Sequence, residues 1–211
     1  EVAYYIDQYK VTNVNFNDLT AVLTKKWLME FCQSIQTRNL AFSWQLPSGT
    51  RSEAIDREAA ELLYESGCRN FCYAPVSGSV RVLKSIKKKV KIPSLIESLK
   101  GALDAGLVTH ANIIIGFPQE RLRDLCLTFL LLLRMAWHGL HGISVMVFAP
   151  YPGSHQYYEL QAEQKITFDT NYLYSTLLRS GARSESFHPL YGQKFLLCVQ
   201  WFFLLTFFGF Q

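Results

Sequence analysis

Three short stretches combine residue types that could hold a ligand. Ser77-Gly78-Ser79 runs straight into a helical segment, so backbone N–H groups and two hydroxyls there could hold a carboxylate, ribose or phosphate oxygen. The same residues also suit an ordinary helix N-cap. Gly116, two residues before Pro118, lets the chain turn tightly off an apolar run and brings backbone close to a flat ligand such as a purine. Arg51 could pair with a carboxylate or form a surface ion pair. Cys68 and Cys72 have the CxxxC spacing of cluster ligands, but Pro75 stands where a third ligand would be needed, so both are expected to pack in the core. His110 is expected to be structural, His138 and His141 solvated in a loop, and His155 a candidate substrate contact. No Ser-His-Asp or paired-carboxylate arrangement is legible.

These stretches sit at the ends of short apolar runs near 11–16, 40–46, 70–74, 109–115 and 142–148. The runs start about 30 to 40 residues apart, the length of one strand plus a crossover helix. Between them lie segments of helical period: Leu23, Trp27, Leu28, Phe31, Cys32 and Ile35 share one stripe. A helix over 53–66 is expected to stop at Gly67, and one that starts at Pro93 to stop at Gly106. The run 125–137 is too short to span a bilayer and is read as a buried crossover helix. A further helix over 168–180 is N-capped by Asp169. Such a βα series implies a parallel sheet covered by helices, with its chemistry at the carboxyl ends of the strands.

Composition sets outer bounds. The 211 residues are 49% hydrophobic and 18% charged, too apolar for a disordered or low-complexity chain. The net charge of +4 owes much to one run, Lys84, Lys87, Lys88, Lys89 and Lys91, which reads as a solvated helix end; no nucleic-acid motif accompanies it. Five scattered cysteines argue against a disulfide scaffold and for a cytoplasmic protein. The uncharged run 195–210 is expected to dock on the barrel or on further protein, with membrane contact as the alternative. The chain begins at Glu1 and ends within that apolar run, so it is expected to be a piece of a longer protein.

Four linked motifs, LPSGTRSEAID (46–56), GCRNFCYAPVSGSVRVLKSIKKKV (67–90), THANIIIGFPQE (109–120) and FAPYPGS (148–154), resemble the core domain of radical S-adenosylmethionine (SAM) enzymes. The likeness is to the cobalamin-binding branch that includes anaerobic magnesium-protoporphyrin monomethyl ester cyclases. It implies an α/β fold, a partial (β/α)6 TIM-like barrel that lacks its first βα unit over 1–160, and an apolar helical extension over 161–211. It also implies SAM contacts at Ser77 and Gly78 near ribose and methionine, at Asn112, Ile114 and Gly116 for adenine, and at Phe148 and Pro150 on the last strand's edge. Asp18 and Arg51 resemble rim residues that face cofactor or substrate. The implied activity of the whole enzyme is reductive cleavage of SAM to a 5'-deoxyadenosyl radical. Its implied partners are a 4Fe-4S cluster, cobalamin, an electron donor and a small-molecule substrate, with a tetrapyrrole as one candidate.

Two departures qualify that expectation. Val76 stands where the family commonly has Glu or Gln, and the CxxxCxxC motif that holds the cluster is absent from the chain. The chain alone is therefore expected to be inactive. A non-catalytic barrel that binds a nucleotide-like ligand or a partner, and an unrelated βα enzyme with a similar rim, are the alternatives.

Overall fold

β-Branched runs become strands where their alternation buries one face. The strand Val108–Ile115 buries Thr109, Ala111, Ile113 and Ile115 and leaves His110, Asn112 and Ile114 half-buried on the opposite face. This period-two pattern recurs in a computed structural model that describes residues 1–17, 24–50, 55–178 and 185–211. The elements in chain order are α1 Val2–Tyr9, β1 Asn13–Asn15, α2 Lys25–Thr37, β2 Ser43–Thr50, α3 Arg57–Glu65, β3 Cys68–Val76 and α4 Val80–Ser85. They continue with α5 Ile92–Asp104, β4 Val108–Ile115, α6 Leu122–Trp137, β5 Gly142–Val147, α7 His155–Ala162, α8 Thr170–Leu178 and α9 Gln193–Phe210. The five strands form one sheet in the order β1-β2-β3-β4-β5, and β1-β2 and β2-β3 pair in parallel. Sequential order with helical crossovers makes the fold α/β, a partial TIM-like barrel with a C-terminal helix.

The helices begin where the sequence supplies caps. Thr24, Asp56, Ser79, Ser154 and Asp169 accept backbone N–H groups at the starts of α2, α3, α4, α7 and α8. The expected stop at Gly67 is real: its φ is 97°, and a Cβ there would run into the Phe42 carbonyl. α1 and α7 were not expected; α7 has little amphipathic pattern, and α1 buries no residue.

The chain divides into two compact units. The first comprises Glu1–Pro75, Val90–Asn112 and Met135–Ile143, and the second Val76–Lys89, Ile113–Arg134 and Ser144–Gln211. In the first, Trp44 is almost fully buried, donates Nε1–H to the Ser66 carbonyl at 3.0 Å, and packs edge-on against Phe31 at 5.5 Å. Tyr73, also buried, shares a 3.0 Å hydrogen bond with Ser98. Cys68 and Cys72 are buried as expected, and burial raises both thiols, that of Cys72 to about 11.

The second unit holds the apolar C-terminal run. α9 is long and apolar enough by composition to cross a membrane, yet Leu196, Gln200, Phe203 and Phe207 are buried along one stripe. Phe129 of α6 meets Phe202 at 5.1 Å and Phe203 at 5.3 Å. Gln200 Nε2 donates to the Val145 carbonyl of β5 at 2.5 Å. Phe195, Trp201, Phe202, Leu205 and Phe208 of α9 remain exposed.

Candidate functional site

The loop after β3 is held by α6 rather than left open. Thr128 donates its hydroxyl to the Asp124 carbonyl at 3.0 Å, so its Oγ1 is free to accept from the Ser77 hydroxyl at 3.0 Å and from Gly78 N–H at 3.0 Å. Ser77 Oγ in turn accepts Ser79 N–H at 3.1 Å. Ser79 donates to Asp124 Oδ1 at 2.5 Å and caps α4 through Val82 N–H. Gly78 is required here, because a Cβ would collide with the Leu127 carbonyl. Ser77 and Ser79 are both essentially inaccessible, so the loop can offer a ligand its main chain but not these two hydroxyls.

The residue before this loop carries strain. Val76 is buried with φ 69°, a left-handed conformation that a β-branched side chain rarely adopts. It is the position at which the sequence departs from the Glu or Gln expected from the resemblance described above.

The loop after β4, residues 116–120, is self-closed. Gly116, at φ 84°, donates N–H to Glu120 Oε2 at 2.5 Å, and Glu120 N–H returns to the Phe117 carbonyl at 2.8 Å. Glu120 is 2% exposed and its Oε1 has no hydrogen-bond partner. Burial pushes the Glu120 carboxyl up to about 7 against the pull of the Gly116 N–H. Arg81 ties this loop to the previous one: its guanidinium donates to the Gln119 carbonyl at 2.7 Å and pairs with Asp124. Burial alone would raise the Asp124 carboxyl, but the Arg81 guanidinium and the Ser79 hydroxyl outweigh it and hold it below the usual carboxylate range.

Of the residues expected from sequence, the second unit brings Ile114, Gly116, Phe148 and Pro150 together. Phe148 N–H donates to the Ile115 carbonyl at 2.8 Å, and its ring lies 4.8 Å from that of Phe117. The Pro150 carbonyl accepts the Tyr172 hydroxyl at 2.7 Å. Asn112 shares the half-buried face of β4 with Ile114. Asp18 and Arg51 lie outside the described residues. His155 opens α7, exposed, 3.4 Å from Glu159. His141 is exposed, as expected, and its Nδ1 accepts the Thr109 N–H at 3.1 Å.

Two features escaped sequence reasoning. In the first unit Asn15, Gln45 and Asn70 form an amide row across β1, β2 and β3. Gln45 Nε2 donates to Asn15 Oδ1 at 2.5 Å and Asn70 Nδ2 to Gln45 Oε1 at 2.7 Å. Only the register reveals it, since the three residues are 25 and 30 positions apart. In the second unit, buried His188 donates to the Glu120 carbonyl across 68 residues of chain. A groove of about 920 Å³ lined mainly by α5 contains none of the expected ligand-binding residues, and its Arg57 and Lys100 are paired with Asp104 and Glu97.

Among the described residues no group of three or more His, Cys, Asp or Glu side chains could hold a metal ion. The residues present therefore do not fit an iron–sulfur cluster. For SAM the fit is partial: in the second unit the half-buried Ile114 offers an apolar surface for a purine, whereas the Ser77 hydroxyl is engaged within the fold.

The fold is that of the radical SAM enzymes. The radical SAM methyltransferase TsrM of Kitasatospora setae, solved with cobalamin and a [4Fe-4S] cluster bound, superposes with a TM-score of 0.60 at 15% identity, over 78% of this chain and 34% of its own. By sequence, an uncharacterized methyltransferase of Pyrococcus horikoshii is 26% identical over 147 residues, 70% of this chain and 31% of the relative. Cytidylyl-2-hydroxyethylphosphonate methyltransferase of Streptomyces wedmorensis is 34% identical over 82 residues, 38% of this chain and 15% of the relative. The chain thus spans about a third or less of the length of each of these proteins. No family model matches the chain.

Proposed function

We propose that this chain is the SAM-positioning part of a radical SAM enzyme of the methyltransferase kind. The observation that carries the reading is the 26% identity to the Pyrococcus methyltransferase over 70% of the chain. Methyl transfer is favoured over tetrapyrrole cyclisation because both curated relatives are named methyltransferases. Ile114 and the main chain around Gly116 take the purine, and Phe117 with Phe148 closes the apolar wall behind that loop. Asn15, Gln45 and Asn70 present an uncharged hydrogen-bonding row suited to a neutral polar substrate. Since no described residues fit a cluster, the electron-transfer step is assigned to none of them. Cobalamin and the electron donor belong to the whole enzyme on this reading.

The test is binding of S-adenosylhomocysteine, which contains the adenosine and needs no reduced cluster, measured by calorimetry. Wild-type chain is expected to bind it, and Ile114→Asp to lose binding at least tenfold with an unchanged circular dichroism spectrum. Equal binding by the two proteins sinks the assignment. A second reading, a barrel that carries no catalysis, is favoured by the engagement of Ser77 and Ser79 and by Val76. Absence of binding by the wild type supports it.

A further inference from the structure

We infer that the C-terminal segment is a brace for the loop 116–120, with His188 as its positioning residue, so that the presentation of the adenine-facing main chain depends on residues about 70 positions away. The purine part of this statement rests on the function proposed above; the brace itself rests on geometry alone.

His188 is 8% exposed and its ring is bonded on both sides. Nδ1 accepts two backbone N–H groups, Leu190 at 3.0 Å and Tyr191 at 2.9 Å, and so carries no proton. The hydrogen of the neutral ring is therefore on Nε2, which faces the Glu120 carbonyl at 2.8 Å and donates to it. The ring is stacked on Tyr191, with centroids 3.9 Å apart and planes 6° from parallel, which fixes its direction. Ser186 closes the same turn: its hydroxyl donates to the Tyr191 carbonyl at 2.6 Å and accepts His188 N–H at 3.2 Å. Eight residues after His188, fully buried Leu196 fills the space that a side chain on Gly116 would need, its Cδ1 lying 2.6 Å from where a Cβ would stand.

The loop needs such support. It is short, its internal bonds involve only Gly116, Phe117 and Glu120, and Glu120 keeps one buried oxygen without a partner. Its outward attachments are Gln119 to Arg81 and Ser85, Phe117 against Phe148, Glu120 to His188 and Gly116 against Leu196. Those at the two ends of the loop, at Gly116 and Glu120, come from the C-terminal segment. A positive-φ glycine has other accessible conformations, and removal of these contacts releases it to sample them.

Two conservative replacements separate the brace from a merely structural role. Glutamine at 188 keeps a donor where Nε2–H was and loses the Nδ1 acceptor; asparagine keeps an acceptor near Nδ1 and loses the far donor. Hydrogen exchange of the 113–121 peptide would be measured in the full chain for wild type, His188→Ala, His188→Gln and His188→Asn, together with S-adenosylhomocysteine affinity. The brace predicts at least tenfold faster exchange of these amides in His188→Ala and His188→Asn, and near-wild-type protection in His188→Gln. Affinity is expected to fall at least fivefold in the first two and to stay within twofold in the third.

Unchanged exchange in His188→Ala overturns the brace, as does rescue by asparagine rather than glutamine. If wild type binds and His188→Ala binds equally well, the link to the ligand is overturned. If wild type binds nothing, the proposed function fails while the exchange data still decide the brace.

Discussion

The Ser79 hydroxyl donates to Asp124 Oδ1 across 45 residues of chain, at 2.5 Å, and so joins the loop after β3 to the first turn of α6. Asp124 also accepts Arg121 N–H at 2.8 Å and pairs with Arg81, so one buried carboxylate gathers three donors. Asp124→Asn is expected to lower stability by about 1–2 kcal/mol, because the buried carboxylate loses its charge-assisted bonds to Ser79, Arg121 N–H and the exposed Arg81. Since the folded carboxyl lies below its ordinary value, its stabilisation is complete above the unfolded value near ~4 and is lost as pH falls through the folded one. Urea titrations at pH 7 and pH 3 should find the wild-type advantage over the variant reduced at the lower pH.

Glu120 works in the opposite sense. Its folded value of about 7 exceeds the unfolded one near ~4.3, so the folded chain holds an extra proton between them and stability declines as pH rises through that window. The burial cost of the ionised form is roughly 3 kcal/mol at pH 8. Glu120→Gln keeps an acceptor for Gly116 N–H and removes the charge. Its stability should be nearly flat from pH 5 to 8, whereas the wild type declines; parallel curves for the two proteins would refute the assignment.

Gly116 and Gly153 both have positive φ, 84° and 89°, but only Gly116 is crowded. Gly153→Ala adds backbone strain alone, about 1 kcal/mol, since a Cβ there meets nothing within 4 Å. Gly116→Ala adds the clash with Leu196 and is expected to cost about 2–4 kcal/mol in total. Thermal or chemical denaturation of the two variants gives the difference, which measures how tightly α9 is pressed on the loop. Gly116→Ala combined with Leu196→Ala should recover part of it.

Cysteine reactivity provides an independent check on the core. Cys32, Cys68 and Cys72 are buried with thiols raised, most of all by burial, while Cys126 and Cys198 are exposed. A chromogenic disulfide reagent at pH 8 should titrate two thiols quickly in the folded chain and the other three only after denaturant is added. Fast reaction of Cys72 would place β3 differently.

The strands were legible because each carries its own signal: β4 and β5 are short runs rich in β-branched and apolar residues, of eight and six residues, and the structure buries them in alternation. Caps at Asp169 and the stop at Gly67 were legible for the same local reason. α7 was not, because its sequence HQYYELQA has almost no one-sided apolar stripe and forms behind the Ser154 cap. The site was legible as a set of loops, not as a set of contacts. That the Ser77 hydroxyl faces Thr128, 51 residues on, depends on the path of α6, and no spacing rule encodes it. His188 was invisible for a sharper reason: a histidine followed by proline in a polar segment reads as a turn, and its ring's partner belongs to a loop 68 residues earlier. The amide row needed the register, which a list of asparagines does not contain.

The bond from Gln200 to the Val145 carbonyl has a meaning for the fate of the chain outside the folded monomer. β5 is the terminal strand of the described sheet, and an edge strand is in general a template on which a foreign strand could add. A buried glutamine that takes one of its carbonyls, backed by Leu196, Phe203 and Phe207, blocks that template. Loss of α9 would therefore be felt first as self-association and precipitation rather than as simple unfolding, and the helix acts as the sheet's protection against fibre growth.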